Sequence, residues 1–180
     1  MAEVKILTIC GALRSGSTNR LLLTEARQAF GEAEWQDADL RLPLFDEDIE
    51  IAEGIPAAVQ HLAGQIAAAD GVIIATPEYN KALSGVLKNA LDWVSRTKGN
   101  PWADKPVAIM SAADGRSGGE RAQASLRLAM APFRVRIVAG PDVFIAASRS
   151  AFDPEGLLVE ERSNKALARL MEAFRREMAR

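Results

Sequence analysis

Apolar residues in this chain form short, nearly continuous runs that alternate with stretches of helical periodicity. The runs at residues 4–10, 71–75 and 107–112 are rich in β-branched and small apolar side chains. Such runs are typical of strands that are covered on both faces. Between them, apolar residues recur at the three- and four-residue spacing of amphipathic helices. The pattern therefore predicts an α/β domain.

Five helices are predicted, each following a strand. A weaker strand is predicted at residues 35–42, where polar residues suit an exposed edge. The last strand is predicted within residues 135–147, where Gly140-Pro141 either interrupts or follows it. Strands alternating with helices predict a five-stranded parallel sheet covered on both faces, of order 2-1-3-4-5, in one domain spanning residues 1–180. The inward-facing helix residues are Leu22, Leu23, Ala26 and Phe30; Ile55, Ala58, Val59, Leu62 and Ile66; Val86, Leu87, Ala90, Leu91 and Val94; Ala122, Leu126, Ala129, Met130 and Phe133; and Leu167, Leu170, Met171, Phe174 and Met178.

Composition removes several classes of function. The chain has 180 residues with 22 basic and 24 acidic side chains, so its net charge of −2 indicates neither a nucleic-acid partner nor an anionic membrane surface. No apolar run reaches the roughly 20 residues of a membrane span. A single cysteine, Cys10, excludes an internal disulfide, and we expect a cytoplasmic protein. Cys10 is interpreted as a core residue, and His61 as a surface residue.

Polar loops follow the first, third and fourth predicted strands. They comprise residues 11–19, 77–80 and 114–119. In the order 2-1-3-4-5, the first two loops lie at the switch point between strands one and three, where open parallel sheets bind ligands. We expect the third loop to form another wall of the same crevice. Residues 42–48 are predicted to form a loop that packs apolar residues beneath acidic ones.

The first loop has the residue types of a phosphate site. It supplies glycines for close backbone approach, a guanidinium, short hydroxyls and an amide, and it leads into a helix N-terminus. The alternative is an ordinary capped loop, because Ser and Thr are common helix caps. The spacing differs from that of nucleoside-triphosphate loops, which require a Lys that is absent here. The candidates are Arg14, Ser15, Ser17, Thr18 and Asn19.

The second loop has the residue types of a ring-binding site. Pro77 ends the preceding strand because it has no N–H to donate to a neighbour. Glu78, Tyr79 and Asn80 then offer backbone N–H groups and the only Tyr of the chain, which can hold the edge and cover a face of a planar heterocycle. The alternative for Tyr79 is a packed rim residue. Glu78 is either an acid for catalysis or a loop acid that orders the backbone.

Five segments together carry a resemblance to the NADPH-dependent FMN reductase family, which includes bacterial chromate and quinone reductases. The resemblance covers roughly residues 4–160. In the family, the position of Asn80 is often followed by an aromatic or small residue, then Ser, then Pro. This chain instead has Lys81, Ala82, Leu83 and Ser84, and the difference bears on substrate preference. The segments are Gly11-x-x-Arg14-x-Gly16-Ser17-x-Asn19, Leu42-Pro43-Leu44-Phe45-Asp46, Thr76-Pro77-Glu78-Tyr79-Asn80, Gly85-x-Leu87-Lys88-Asn89-Ala90-Leu91-Asp92-Trp93 and Gly118-Gly119-x-Arg121-Ala122-Gln123.

The resemblance implies a flavodoxin-like three-layer fold and a flavoenzyme. The first loop would bind the phosphate of FMN and the second loop its isoalloxazine ring. Ser111 and Gly115 would lie near the far side of the ring. The family is usually dimeric or tetrameric, so the resemblance also implies a homodimer or homotetramer. Trp93 and Trp102 then fit either a subunit interface or the core.

The function implied is hydride transfer from NADPH or NADH through FMN to a small-molecule acceptor. Quinones, metal oxyanions such as chromate, and azo compounds are the acceptor classes. No catalytic side chain is required, because the cofactor carries the chemistry. Two alternatives remain open: an FMN electron carrier of the flavodoxin type without nicotinamide turnover, and a degenerate fold retained as an interaction module.

Overall fold

The structure, a computed structural model, describes residues 3–180. Its strands are Lys5–Cys10 (β1), Glu34–Asp37 (β2), Gly71–Thr76 (β3), Pro106–Ala112 (β4), Arg136–Ile137 (β5) and Phe144–Ile145 (β6). Its helices are Thr18–Phe30 (α1), Glu47–Glu53 (α2), Ala57–Ala68 (α3), Gly85–Ser95 (α4), Glu120–Met130 (α5) and Glu161–Met178 (α6), and a 3₁₀ turn, Ala131–Phe133, follows α5.

All the strands pair in parallel in one sheet. The order β2-β1-β3-β4-β5 confirms the predicted order, and β6 also pairs with β4. In the centre of the sheet, Ile74 of β3 lies between Ile9 of β1 and Ile109 of β4. Every residue of β3 and β4 is buried, which confirms that helices cover both faces.

The two helical layers bury alternate residues of the central strands. Ile73 and Met110 pack with α1 and α6 on one face, whereas Ile74 and Ile109 pack with α3, α4 and α5 on the other. The stripe predicted for the last helix is buried at Leu167, Leu170, Met171 and Phe174. The three layers therefore match the predicted architecture.

The burial of single residues confirms two predictions and decides a third. Cys10 is a buried free thiol, and His61 is exposed, as predicted. Trp93 and Trp102 are 0% and 2% exposed, so both belong to the core. None of the helices within residues 3–180 is long and apolar enough to cross a membrane.

The last strand, predicted within residues 135–147 and interrupted or followed by Gly140-Pro141, is divided at this dipeptide into β5 and β6. β5 pairs with the start of β4 through Val107↔Ile137, and β6 pairs with its end through Ala112↔Ile145. The intervening segment leaves the ladder because Pro141 has no N–H and Gly140 has φ +139°. The strand predicted at residues 35–42 is also shorter, since β2 ends at Asp37.

The loop predicted at residues 42–48 is corrected in two respects. Helix α2 begins at Glu47, because the side chain of Asp46 accepts a hydrogen bond from the N–H of Asp48 at 2.9 Å and so caps the helix. Leu44 is 81% exposed instead of buried. Phe45 does pack inward, edge-on against Trp93 with ring centroids 5.0 Å apart.

Candidate functional site

A cleft of about 520 Å³ lies at the carboxyl ends of β1, β3 and β4. The loops that follow these three strands form its walls, as the topology predicted. Its volume falls within the roughly 300–1,000 Å³ of small-molecule sites. The lining consists of Ala12, Arg14, Ser17, Thr18, Asn19, Pro77, Glu78, Tyr79, Ala112, Ala113, Asp114, Ser148 and Arg149.

The structure brings most of the predicted site residues to this cleft. The lining includes seven of them, from the loops after β1 and β3. The remaining four, Ser15, Asn80, Ser111 and Gly115, are not among the lining residues. Ser15 and Asn80 belong to the same two loops, whereas Ser111 lies inside the protein.

Gly11 lets the loops after β1 and β3 touch. Its N–H donates to the carbonyl of Ala75 at 2.8 Å. A Cβ at position 11 would lie 3.0 Å from Thr76 Oγ1 and 3.2 Å from Pro77 Cδ. Because a side chain there would push the loops apart, glycine is needed to keep the two walls of the cleft together.

The N-terminus of α1 is open toward the cleft. The hydroxyl of buried Ser17 caps the helix by accepting from the N–H of Asn19 at 3.3 Å. Among the residues that the structure describes, none accepts a hydrogen bond from the backbone N–H groups of residues 14–18. The first turn of α1 carries no acidic side chain, and Arg14 lines the same wall. Free N–H groups, the helix dipole and a guanidinium together favour an anion.

Asn19 was expected to contact a phosphate, but its side chain is bound to the backbone of β4. Its side-chain amide donates to the carbonyl of Ala112 at 2.8 Å and accepts from the N–H of Ala112 at 2.9 Å. The side chain is 1% exposed. Asn19 therefore holds the start of α1 against the end of β4 and positions the loop. Its direct contact with a phosphate stays a prediction.

The loop after β3 ends in a two-residue turn. Tyr79 and Ala82 exchange backbone hydrogen bonds of 3.1 Å in both directions. The central residues Asn80 and Lys81 have φ of +50° and +66°, as in type I′ turns. The turn is anchored to α5, since the N–H of Leu83 donates to Ser125 Oγ at 2.7 Å. Tyr79 is 53% exposed at the edge of the cleft, so its ring is available to a ligand.

Glu78 orders the backbone of a neighbouring helix. One carboxylate oxygen, Oε2, accepts from the N–H groups of Arg121 and Ala122 at 3.1 and 3.4 Å. The other oxygen lies 3.7 Å from the guanidinium of Arg121. Helix α5 needs this partner because its N-cap, Gly119, has no side chain. Of the two interpretations of Glu78, the structure supports the loop acid.

The third loop is held by packing behind the cleft. The buried hydroxyl of Ser111 donates to the carbonyl of Gly118 at 2.7 Å and accepts from Gln123 Nε2 at 2.9 Å. The hydroxyl of Ser111 therefore makes its hydrogen bonds inside the protein. A Cβ at Gly118 would lie 2.7 Å from the carbonyl carbon of Phe144, whereas one at Gly115 would meet nothing within 4 Å. A cofactor contact of Ser111 or Gly115 stays a prediction.

Ser148 and Arg149 are lining residues that the sequence pattern did not single out. They follow β6, whose two residues are too few to show a period. The N–H of Ser148 donates to the carbonyl of Ala113 at 3.3 Å, and Arg149 pairs with Asp114 at 3.4 Å. This segment therefore closes the side of the cleft beyond β4 and adds a second arginine to it.

The sheet order and the cleft at its switch point define a flavodoxin-like α/β protein, and the helix N-terminus in that cleft suits an anion. Residues 4–150 match the family described as NADPH-dependent FMN reductase. The chain belongs to this family of oxidoreductases, whose cofactors are FMN and NAD(P)H.

Known proteins similar to this chain carry related names. An NAD(P)H-dependent FMN reductase of Pseudomonas aeruginosa is 40% identical over 96% of this chain and 94% of its own length. A quinone reductase of Escherichia coli K12 is 37% identical over 85% of this chain and 83% of its own length. The solved structure of FerB, a flavoenzyme NAD(P)H:(acceptor) oxidoreductase from Paracoccus denitrificans, superposes with a TM-score of 0.87 at 28% identity, covering 98% and 97% of the two chains.

The residues of the cleft fit FMN. Its phosphate matches the free N–H groups at the start of α1, where Arg14 adds a positive charge. Its ring suits the loop after β3, where Tyr79 is exposed beside the buried Pro77 and where Gly11 allows close contact with the loop after β1. The cleft thus has separate places for the anionic and the planar parts of the cofactor.

Proposed function

We propose that this protein is an NAD(P)H-dependent FMN oxidoreductase that reduces quinones and, as further acceptors, metal oxyanions and azo compounds. The observation that carries the proposal is the shared cleft of the open α1 N-terminus and the exposed Tyr79 wall. Names of relatives support the quinone class, including a 2-hydroxy-1,4-benzoquinone reductase of a Burkholderia species that is 36% identical over 95% of this chain. An open rim above a ring site admits small acceptors of several shapes, both planar quinones and azo compounds and compact oxyanions.

The residues of the cleft bind FMN and orient it. Arg14 and the N–H groups of residues 14–18 hold the phosphate, and Asn19 keeps that loop in place through Ala112. Tyr79 covers the ring, and the tight turn beyond it keeps the rim open to substrates. FMN, when bound, supplies the transfer of a hydride from NAD(P)H to the acceptor. Because Glu78 is engaged with α5, the proposal assigns it no proton transfer.

We also propose that the protein forms a homodimer or a homotetramer. Leu44 is 81% exposed and Ile51 is 78% exposed within one short segment. The segment is held firmly, because the N–H of Phe45 donates to Asn89 Oδ1 and the indole of Trp93 donates to the carbonyl of Pro43, both at 2.8 Å. Apolar side chains that are both exposed and fixed suit a subunit interface.

An anaerobic spectroscopic titration tests the proposed function. Purified protein is loaded with FMN, NADPH is added, and a benzoquinone follows after the visible flavin absorbance has been recorded. We expect NADPH to bleach the flavin band and the quinone to restore it over repeated cycles. A protein that binds FMN without bleaching would be a carrier of the flavodoxin type. A protein that fails to bind FMN would be an interaction module, and either result would contradict the proposal.

A further inference from the structure

Two helix N-termini lie near the cleft, α1 as part of its lining and α5 through its contact with Glu78, and they differ in how their N–H groups are satisfied. At α1 the N–H groups of residues 14–18 have no acceptor among residues 3–180. At α5 every N–H of the first turn has a partner within the protein. Glu120 donates to the carbonyl of Ser117 at 3.2 Å, and Gln123 donates to that of Gly119 at 3.1 Å. The two N–H groups between them, those of Arg121 and Ala122, donate to Glu78.

The cap of α5 is unusual because it is charged and comes from a distant loop. Most helices are capped by the residue that precedes them. Here Glu78 caps a helix that begins more than 40 positions later in the chain, with separations of 43 and 44 residues to the two donors. Its side chain is only 13% exposed, whereas that of Arg121 is 58% exposed. A largely buried carboxylate therefore stands between the positive end of α5 and the cleft.

We propose that Glu78 is a positioning residue that seats the ring-binding loop on α5 and cancels the positive field of that helix, so that it sets the relative affinity for oxidised and reduced FMN. This inference rests on the proposed function. The loop position follows from the two N–H contacts of one side chain that lines the cleft beside Tyr79. The field follows from the charges: the helix N-terminus and Arg121 are positive, Glu120 in the first turn is negative, and Glu78 is the acid that contacts both the N–H groups and the guanidinium of Arg121.

The consequence for the cofactor is a difference between its two oxidation states. Reduced flavin carries more negative charge than oxidised flavin, at the pyrimidine part of the ring, so a positive field favours the reduced form. In the native protein Glu78 weakens this field. Removing its charge while keeping an acceptor oxygen would leave Glu120 as the remaining acid in the first turn of α5, so the positive end of the helix and Arg121 would act more strongly on reduced FMN.

The test compares Glu78→Gln, which keeps one acceptor oxygen, with Glu78→Ala, which removes both. The dissociation constant for oxidised FMN and the reduction potential of bound FMN are measured, and together they give the affinity for reduced FMN. For Glu78→Gln we expect the affinity ratio to move about 10-fold toward reduced FMN, equivalent to a potential about 30 mV more positive for a two-electron couple. Glu172→Gln, on the exposed outer face of α6, is the matched control and leaves the potential unchanged.

A second pair of variants separates the charge from the fold. Arg121→Met removes the cation but keeps the backbone N–H that Glu78 accepts from, so we expect its potential to shift in the negative direction. In the Arg121→Met background, Glu78→Gln should shift the potential in the positive direction by about as much as it does alone, because the fields of the two charges add. A potential that is the same in Glu78→Gln and wild-type protein would overturn the electrostatic part of the inference.

A measurement without cofactor keeps this inference distinct from the proposed function. In FMN-free protein we expect the amides of Arg121 and Ala122 to exchange with solvent about 10-fold faster in Glu78→Ala than in wild-type protein, with Glu78→Gln between them. Unchanged exchange in Glu78→Ala would overturn the capping role. Failure of wild-type protein to bind FMN would instead contradict the proposed function, since the exchange measurement does not depend on it.

Discussion

At the scale of single residues, glycines of similar appearance in the sequence have different tasks. Gly115 and Gly118 lie in the same polar loop, which was expected to form a wall of the crevice. In the structure Gly118 has φ +59° and touches the backbone of Phe144, whereas Gly115 faces open space. Only the fold distinguishes them, because β6 comes from a later part of the chain. Gly118 therefore serves packing beneath the loop.

Alanine substitutions at the two glycines test this distinction. Gly118→Ala places a Cβ 2.7 Å from the carbonyl carbon of Phe144 at a positive φ, so we expect a loss of at least about 2 kcal/mol in the free energy of unfolding. Gly115→Ala should change it by less than about 0.5 kcal/mol. Urea denaturation of both variants measures the difference. Equal losses would show that the close approach at Gly118 is wrong.

The site residues that could be predicted from sequence are those whose task is local. Ser17 caps the helix that follows it, and Arg14 lies in the loop that leads into that helix. Asn19 belongs to the same motif, yet its partner Ala112 lies 93 residues away. Contacts over such separations depend on the sheet order, so residue types and spacing alone could not assign them.

At the scale of secondary structure, elements with long apolar patterns were predicted well and short ones were not. β3 and β4 are uniformly buried, and their runs indicated this directly. Helix α2 has only seven residues and none of them is buried, so it offers no apolar stripe to recognise. β5 and β6 have two residues each, which is too short for a period. These ends of the sheet are defined by their pairing with β4.

The position of α5 was predicted, because the polar loop at residues 114–119 ends directly before Glu120, but the group that caps the helix was not. The N-cap is a glycine, so no side chain at that position supplies the cap. The capping group is Glu78, which the sequence placed in the ring-binding loop without indicating its partner. A cap supplied by another loop couples two elements, so a change at Glu78 should alter both the ring site and the start of α5.

At the scale of the whole molecule, the chain carries an exposed apolar segment, which contains Leu44 and Ile51, in addition to the cleft. We expect the wild-type protein to sediment as a homodimer or homotetramer at micromolar concentration. Leu44→Glu should shift it toward the monomer, because a charge at a fixed apolar position disfavours burial. Leu157→Glu, at another exposed leucine, is the control and should leave the oligomer intact.

Sedimentation velocity decides this prediction. A wild-type protein that remains monomeric at all accessible concentrations would contradict the proposed oligomer. An oligomer that Leu44→Glu leaves unaffected would place the interface elsewhere. Either result leaves the flavin site untouched, since Leu44 does not line the cleft.

We propose that the start of α1 holds the phosphate of FMN in the same cleft in which the loop after β3 holds the ring. A titration of wild-type and Arg14→Ala protein with FMN and with riboflavin, which lacks the phosphate, tests this arrangement. We expect Arg14→Ala to weaken FMN roughly 10- to 100-fold, as for a lost hydrogen bond to a charged group, and to leave riboflavin within about twofold. Equal weakening of both ligands, or no weakening of either, would contradict the claim.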